Sequence, residues 1–201
     1  APSDLSVISR AATSILWGWV DSSSNEDGFR ILNETGGMVT TLPPNTAWFT
    51  ETGLSVNTSY YRYIEAYNLG GVSSSSAVSV FTLANPPLGS FISSVTATSI
   101  NVNWTASGNP PGTDFFIHRA TSSDFGNITE TGVTGVTSYV WTGLESDKIY
   151  HFRVKARNRD GMATEFGPAV STSTLDGVLP AAITDLLAIT GPVEGQIILS
   201  W

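Results

Sequence analysis

Three segments of this chain share one pattern: Ile15-Leu16-Trp17-Gly18-Trp19, Ile100-Asn101-Val102-Asn103-Trp104 and Ile197-Ile198-Leu199-Ser200-Trp201. Each is apolar at alternate positions and ends in tryptophan, the period-two signature of a half-buried β-strand. The tryptophans fall 85 and 97 positions apart, the spacing of whole domains rather than of solenoid repeats. A second motif follows each of the first two copies. Leu54, Tyr60, Ile64, Ala66 and Asn68 recur, at the same mutual spacing, as Leu144, Tyr150, Val154, Ala156 and Asn158. In the second copy Tyr150, Phe152, Val154 and Ala156 alternate with His151, Arg153, Lys155 and Arg157, which predicts one core face and one solvent face.

Between these landmarks lie further strand-like runs, Phe29–Leu32 with Phe115–Ile117 and Trp48–Thr50 with Tyr139–Trp141. Turn clusters such as Asp21–Gly28, Gly36-Gly37, Gly108–Gly112 and Asp160-Gly161 separate them. Frequent turns between short alternating strands predict an all-β chain of antiparallel sandwiches, about seven strands per copy. Composition agrees. Six Trp, six Tyr and nine Phe supply a core that a disordered chain lacks, and the 13% of charged residues is far below what a coiled coil carries. Serine and threonine together make up a quarter of the chain, so the solvent faces carry hydroxyls rather than ions.

Both copies resemble fibronectin type III domains. The residues that carry the resemblance are the strand-B tryptophans Trp19 and Trp104, the spacing Leu54/Tyr60 and Leu144/Tyr150, and the Ala-x-Asn ending with a nearby glycine. It implies immunoglobulin-like sandwiches in tandem, with Trp19, Leu54, Tyr60, Trp104, Leu144 and Tyr150 as structural core. It also implies that each tyrosine is a corner residue whose hydroxyl bonds upstream backbone. The stretches Asn25–Ile31 and Val56–Tyr63 are similar to bacterial members more than to animal ones. Two positions break the pattern. Parity places Arg62 on the inward slot held by Phe152 in the second copy, and Glu51 on the slot of Trp141. A local register change, or a side chain that snorkels out, is the expectation there.

The organisation read from these motifs is a first domain over residues 1–83, a linker at 84–87, and a second domain over 88–175. A second linker follows at 176–180, and residues 181–201 form strands A and B of a truncated third copy. The prolines of Ala84-Asn85-Pro86-Pro87 fix φ and limit swing between the two bodies. Two strands cannot bury a core by themselves, so the third copy is expected to be completed within a longer array.

A formal charge of −8 argues against nucleic-acid binding, which rests on clustered cations, and against docking on an anionic membrane. No apolar run approaches the roughly 20 residues of a membrane helix, so no membrane insertion is expected. The absence of cysteine excludes a disulfide frame, a thiolate metal site and a cysteine nucleophile. No serine lies in a Gly-x-Ser-x-Gly elbow and no glycine-rich phosphate loop opens a helix. The only histidines, His118 and His151, fall on neighbouring strands of one outward face beside Arg119 and Arg153. Those arginines oppose a cation, and two imidazoles are too few ligands. Asp21–Gly28 is oxygen-rich but fails the spacing of a calcium loop. No catalytic, metal or cofactor site is therefore assigned. The Asn-x-Ser/Thr triplets at Asn33, Asn57, Asn103 and Asn127 are frequent by chance in such a composition.

Two surfaces remain as candidates for interaction. In the first copy Tyr61, Tyr63 and Tyr67 share the outward face of one strand, and Trp48 is placed outward nearby; aromatics on a sheet face stack on sugars or anchor interfaces. In the second copy His151, Arg153, Lys155 and Arg157 form a basic stripe. Six of the nine basic residues lie in that copy, leaving it at −1 against −4 for the first. The expected function is that of a non-catalytic structural spacer and interaction repeat of a larger extracellular or cell-surface protein, building a filament or coat. Its partners would be neighbouring repeats, other copies of the chain or a polysaccharide. The alternatives are a carbohydrate-binding accessory module of a secreted enzyme and an adhesion segment.

Overall fold

The computed structural model of the chain describes residues 1–178, Thr184 and 186–200. All regular structure among them is β. The first sandwich contains β1 (Ser3–Arg10), β2 (Ser14–Val20), β3 (Gly28–Leu32), β4 (Met38–Leu42), β5 (Trp48–Thr52), β6 (Ser59–Asn68), β7 (Gly71–Ser74) and β8 (Val78–Phe81). The second contains β9 (Leu88–Val95), β10 (Ser99–Thr105), β11 (Asp114–Ala120), β12 (Ile128–Thr134), β13 (Ser138–Thr142), β14 (Ile149–Arg157) and β15 (Val170–Ser173). In each, a three-stranded antiparallel sheet faces a larger one: β1-β2-β5 opposes β4-β3-β6-β7 with β8 also on β6, and β9-β10-β13 opposes β12-β11-β14-β15. A last antiparallel pair, β16 (Leu187–Thr190) with β17 (Ile197–Ser200), exposes every residue of both strands. Ala181–Ile183, Asp185 and Trp201, which belong to the expected third copy, lie outside the described residues.

The inward residues are those the alternation selects. Ile15, Trp17, Trp19, Phe29, Ile31 and Ile64 fill the first core; Ile100, Val102, Trp104, Phe115, Ile117, Phe152 and Val154 fill the second. Each strand-B tryptophan packs on the strand-C phenylalanine opposite, with ring centroids 5.7 Å apart for Trp19/Phe29 and 5.6 Å for Trp104/Phe115. Both indole N–H groups are buried without an acceptor, so packing alone holds these rings. Leu144 and Tyr150 are buried, whereas Leu54 and Tyr60 are partly buried against the first core.

The corner tyrosines behave alike. The Ser55 N–H donates to the Tyr60 hydroxyl at 2.7 Å, and the Glu145 N–H to the Tyr150 hydroxyl at 3.0 Å. A second device closes the same corner in both copies and carries no signal in the motif pattern. Thr82, at the end of the first sandwich, donates to the Ser55 carbonyl at 2.7 Å and accepts from the Thr58 N–H at 3.0 Å. Thr174 repeats this with the Glu145 carbonyl and the Lys148 N–H. Asn57 and Asp147 turn the chain there at φ 45° and 52°, the left-handed region that asparagine and aspartate tolerate best among residues with a side chain.

Glu51 and Arg62 correct the expectation of a slipped register or a snorkelling stem. Pairing through β2, β5 and β6 is regular at both positions, and both side chains are buried, at 6% and 8% exposure. They form an ion pair inside the core, with Arg62 Nε 3.0 Å from Glu51 Oε2. Trp17 Nε1–H donates to the same carboxylate at 3.0 Å, and Arg62 Nη1 reaches the Tyr61 carbonyl at 2.7 Å. The second sandwich fills the equivalent space with Val102, Trp141 and Phe152. The set Trp17/Glu51/Arg62 is thus an alternative packing of one volume: the large ring lies on β2 where the second sandwich has it on β13, and a hydrogen-bonded ion pair fills the rest.

Replacing Arg62 by Ala strands a buried carboxylate and should destabilise the first sandwich by about 3–5 kcal/mol. The triple replacement Trp17→Val, Glu51→Trp, Arg62→Phe should recover most of that loss. Amide hydrogen exchange in β2, β5 and β6 of the whole chain reads both outcomes separately from the second sandwich.

Candidate interaction surfaces and the interdomain joint

The aromatic residues picked from the sequence do not form one platform. Trp48 lies on β5 of the smaller sheet and is 62% exposed; Tyr61, Tyr63 and Tyr67 lie on β6 of the opposite sheet. Only the tyrosines share a face. Tyr61 is 36% exposed, Tyr63 is half-buried, and Tyr67 is half-buried with the Arg30 guanidinium 4.3 Å above its ring.

The basic stripe of the second sandwich is not a row of free cations. Arg153 lies between two rings, its Cζ 4.1 Å from Phe125 and 4.0 Å from Phe166. Lys155 Nζ is 5.1 Å from Phe166 and 3.1 Å from Glu130. Arg157 covers Phe116 at 4.6 Å and pairs with Asp114 at 3.0 Å. His151 stacks edge-on at 6.4 Å to Phe125. Such cation–aromatic contacts are worth roughly 0.5–1 kcal/mol at exposed sites. Neighbours within the same domain thus engage these cations.

His118 faces the same side yet is buried, because Phe166 covers it at 4.4 Å between ring centroids. Its Nε2 lies 2.6 Å from Glu130 Oε2, and Arg153 approaches its Nδ1 at 3.4 Å. A carboxylate can only accept and an arginine can only donate, so the proton belongs on Nε2. The two histidines therefore have separate partners, and among the described residues no group of three or more His, Asp or Glu side chains is arranged to hold a metal. In the Asp21–Gly28 loop the carboxylates are taken up locally. Asp21 accepts from the Ser23 N–H at 3.0 Å, and Glu26 accepts from the Ser23 hydroxyl at 2.7 Å and the Asn45 N–H at 3.1 Å.

The junction of the two sandwiches, where the sequence shows a proline-stiffened linker, is densely bonded by polar side chains. Ala84 is buried in the second core. Asn85 is clasped by Asn109, whose Oδ1 accepts from the Asn85 N–H at 2.9 Å while its Nδ2 donates to the Asn85 carbonyl at 2.8 Å. Asn85 Nδ2 also donates to the Ser107 carbonyl at 2.9 Å. Direct bonds join the bodies: Asn57 Nδ2 to Thr113 Oγ1 at 3.0 Å, and Asn158 Nδ2 to the Thr82 carbonyl at 3.2 Å. Both asparagines are buried. Asp160 pairs with Arg10 and accepts from the Phe81 N–H at 3.0 Å, and Arg10 Nη1 donates to the Phe81 carbonyl at 2.8 Å. The linker is therefore held by asparagine side chains as well as by the fixed φ of its prolines. Asn57 and Asn158 were visible in the sequence as a glycosylation triplet and a family motif, and neither role points to a joint.

Two successive immunoglobulin-like sandwiches with a bonded junction define a tandem β-sandwich repeat architecture. Residues 85–173 match the sequence profile of the fibronectin type III domain. The match falls on the second sandwich, and the first repeats its two-sheet architecture. A solved two-domain fibronectin type III segment of chicken tenascin covers 86% of this chain, with a TM-score of 0.61 at 18% identity, and so shares the fold. The chain is 29% identical over 201 residues to Chitinase A1 of Niallia circulans, covering 93% of this chain and 27% of that protein. It is 29% identical over 174 residues to Exoglucanase B of Cellulomonas fimi, covering 78% of this chain and 15% of that protein. The chain thus spans about a quarter or less of the length of these relatives.

The Thr134 hydroxyl, with Arg157, holds the Asp114 carboxyl below the ordinary aspartate range, and the His118 bond, with Lys155, does the same for Glu130 against partial burial. A carboxyl depressed by folding contributes stability that is complete above its unfolded pKa and is lost as pH falls towards the folded one. The second sandwich should therefore weaken as pH drops below about 4. Asp114→Asn with Glu130→Gln should flatten that dependence. Domain-resolved hydrogen exchange across the acid range provides the measurement.

Proposed function

We propose that this chain is a non-catalytic spacer that holds other parts of a secreted, multi-domain protein at a fixed separation and angle. The observation that carries the reading is the junction. Ala84 sits in the second core, Asn85 is bonded on its N–H, carbonyl and side-chain amide, and buried asparagines bridge the bodies. A freely swinging linker has no need of buried polar bonds, which are favourable only when made in one geometry. The relatives support the setting: a chitinase and an exoglucanase from bacteria, each several times longer than the matched region. A place outside the cell, beside domains that act on polysaccharide, follows as part of the proposal. The exposed hairpin β16–β17 is read as strands A and B of a further repeat, consistent with its antiparallel pairing.

The carbohydrate-binding alternative required Trp48, Tyr61, Tyr63 and Tyr67 on one surface. Their placement on opposite sheets removes that shared platform.

In solution the two sandwiches should tumble as one body, with a single rotational correlation time from ¹⁵N relaxation and a scattering profile of fixed end-to-end length. Asn158→Ala leaves the Thr82 carbonyl unpartnered at a cost of about 1–3 kcal/mol, and should give two separable correlation times. Independent tumbling of the unaltered chain refutes the reading.

A further inference from the structure

In the first sandwich β6 ends at Asn68, a two-residue turn follows, and β7 runs back along β6 from Gly71. In the second, β14 ends at Arg157 and β15 begins at Val170, and residues 158–169 lie back along β14. Two points pin this segment to the strand beneath: Thr164 exchanges bonds with Ala156 at 2.8 and 3.0 Å, and Gly167 N–H donates to the Val154 carbonyl at 2.8 Å. Within the segment, Met162 N–H donates to Asn158 Oδ1 at 2.8 Å.

Each end of the segment has a second attachment. Near its start, Asn158 and Asp160 reach Thr82, Arg10 and Phe81 of the first sandwich. Near its finish, Phe166 lies on His118 at 4.4 Å, on Arg153 at 4.0 Å and close to Lys155 at 5.1 Å. The next residue, Gly167, lies against the linker: a Cβ built on it would come 2.0 Å from the Pro87 carbonyl oxygen. The φ of Gly167 is not in the left-handed region, so the glycine is demanded by close approach of the linker and not by the turn. One segment thus touches the first sandwich, the linker and the cation–aromatic cluster.

We infer that residues 158–167 act as a strap that sets the interdomain angle, with Phe166 as its latch. This rests on the rigid-spacer reading and assigns the rigidity to a part. Phe166 is a positioning residue. Its ring, gripped by Arg153 and His118 on a sheet face that Glu130 ties to the neighbouring strand, fixes where Gly167 meets Pro87. The rigid segment then carries Asp160 onto Arg10. Without the latch the far end of the strap lifts, the linker gains room, and the Asp160 contacts lose their common geometry. In the first sandwich β7 and Ser75 take the corresponding place along β6, with Ser75 N–H donating to the Ile64 carbonyl.

The test uses the full chain as Phe166→Ala, Gly167→Ala and Phe125→Ala variants, with ¹⁵N relaxation for tumbling and amide shifts of the second core as a fold control. The inference expects Phe166→Ala and Gly167→Ala to split the single correlation time while the shifts of Val102, Trp104 and Val154 stay in place. Phe125→Ala, which strips the other ring from Arg153 without touching the strap, should leave tumbling unchanged. Single-body tumbling in Phe166→Ala with an intact core overturns the latch and leaves the spacer reading in force. If Phe166→Ala fails to fold, Gly167→Ala decides, and its tumbling as one body overturns the strap. Separate tumbling of the unaltered chain overturns both.

Discussion

The alternation of side chains along strand B, and the tryptophan that ends its inward row, set the frame on which the rest of each sandwich depends. Trp19 and Trp104 meet Phe29 and Phe115 across the gap between sheets and fix the spacing into which every other inward residue must fit. Because their indole N–H groups have no acceptor, this contact is one of shape and area only. It tolerates a change of chemistry next door provided volume is conserved, and the two copies show this directly. Beside one tryptophan lies an ion pair with a second indole; beside the other lie Val102, Trp141 and Phe152.

Polar bonds do a different task. They sit where the chain must change direction, at corners and at the junction, and each satisfies backbone groups that no sheet neighbour can reach. Tyr60 and Thr82 at one corner, and Tyr150 and Thr174 at the other, tie the turn after β5 or β13 to the start of β6 or β14 and to the end of β8 or β15. The first corner is also part of the joint, since Asn57 and the Thr82 carbonyl are both bonded by the second sandwich. Corner and joint therefore share their backbone atoms, and the fold of one domain prepares the surface that meets the next.

The sheets, their inward faces and the corner tyrosines were legible in the sequence because period-two alternation and fixed spacing encode them locally. Glu51 and Arg62 were legible as anomalies and misread in kind. Parity said they point inward, but only the structure shows that each answers the other with Trp17 between. The basic stripe was legible as a row on one face, whereas its ring partners were not, since Phe125 and Phe166 come from loops, where no periodicity reports direction. Trp48 was separated from the tyrosines by topology, which places strands E and F in opposite sheets. The stiff linker was legible from its prolines, but the side-chain bonds of the joint were not, because asparagine, threonine and aspartate in turns read as turn formers whatever they touch.

Ala84 follows the last strand of the first sandwich by only a few residues, yet its side chain belongs to the hydrophobic interior of the second. The peptide that separates the domains is therefore also a component of one of them, and the boundary between folding units does not coincide with a cut in the chain. Interior packing of the second sandwich and orientation of the first become linked quantities. Whatever loosens that interior frees the neighbour to turn, and whatever holds the neighbour in place feeds stability back through one methyl group. A tandem joined in this way transmits strain as well as distance.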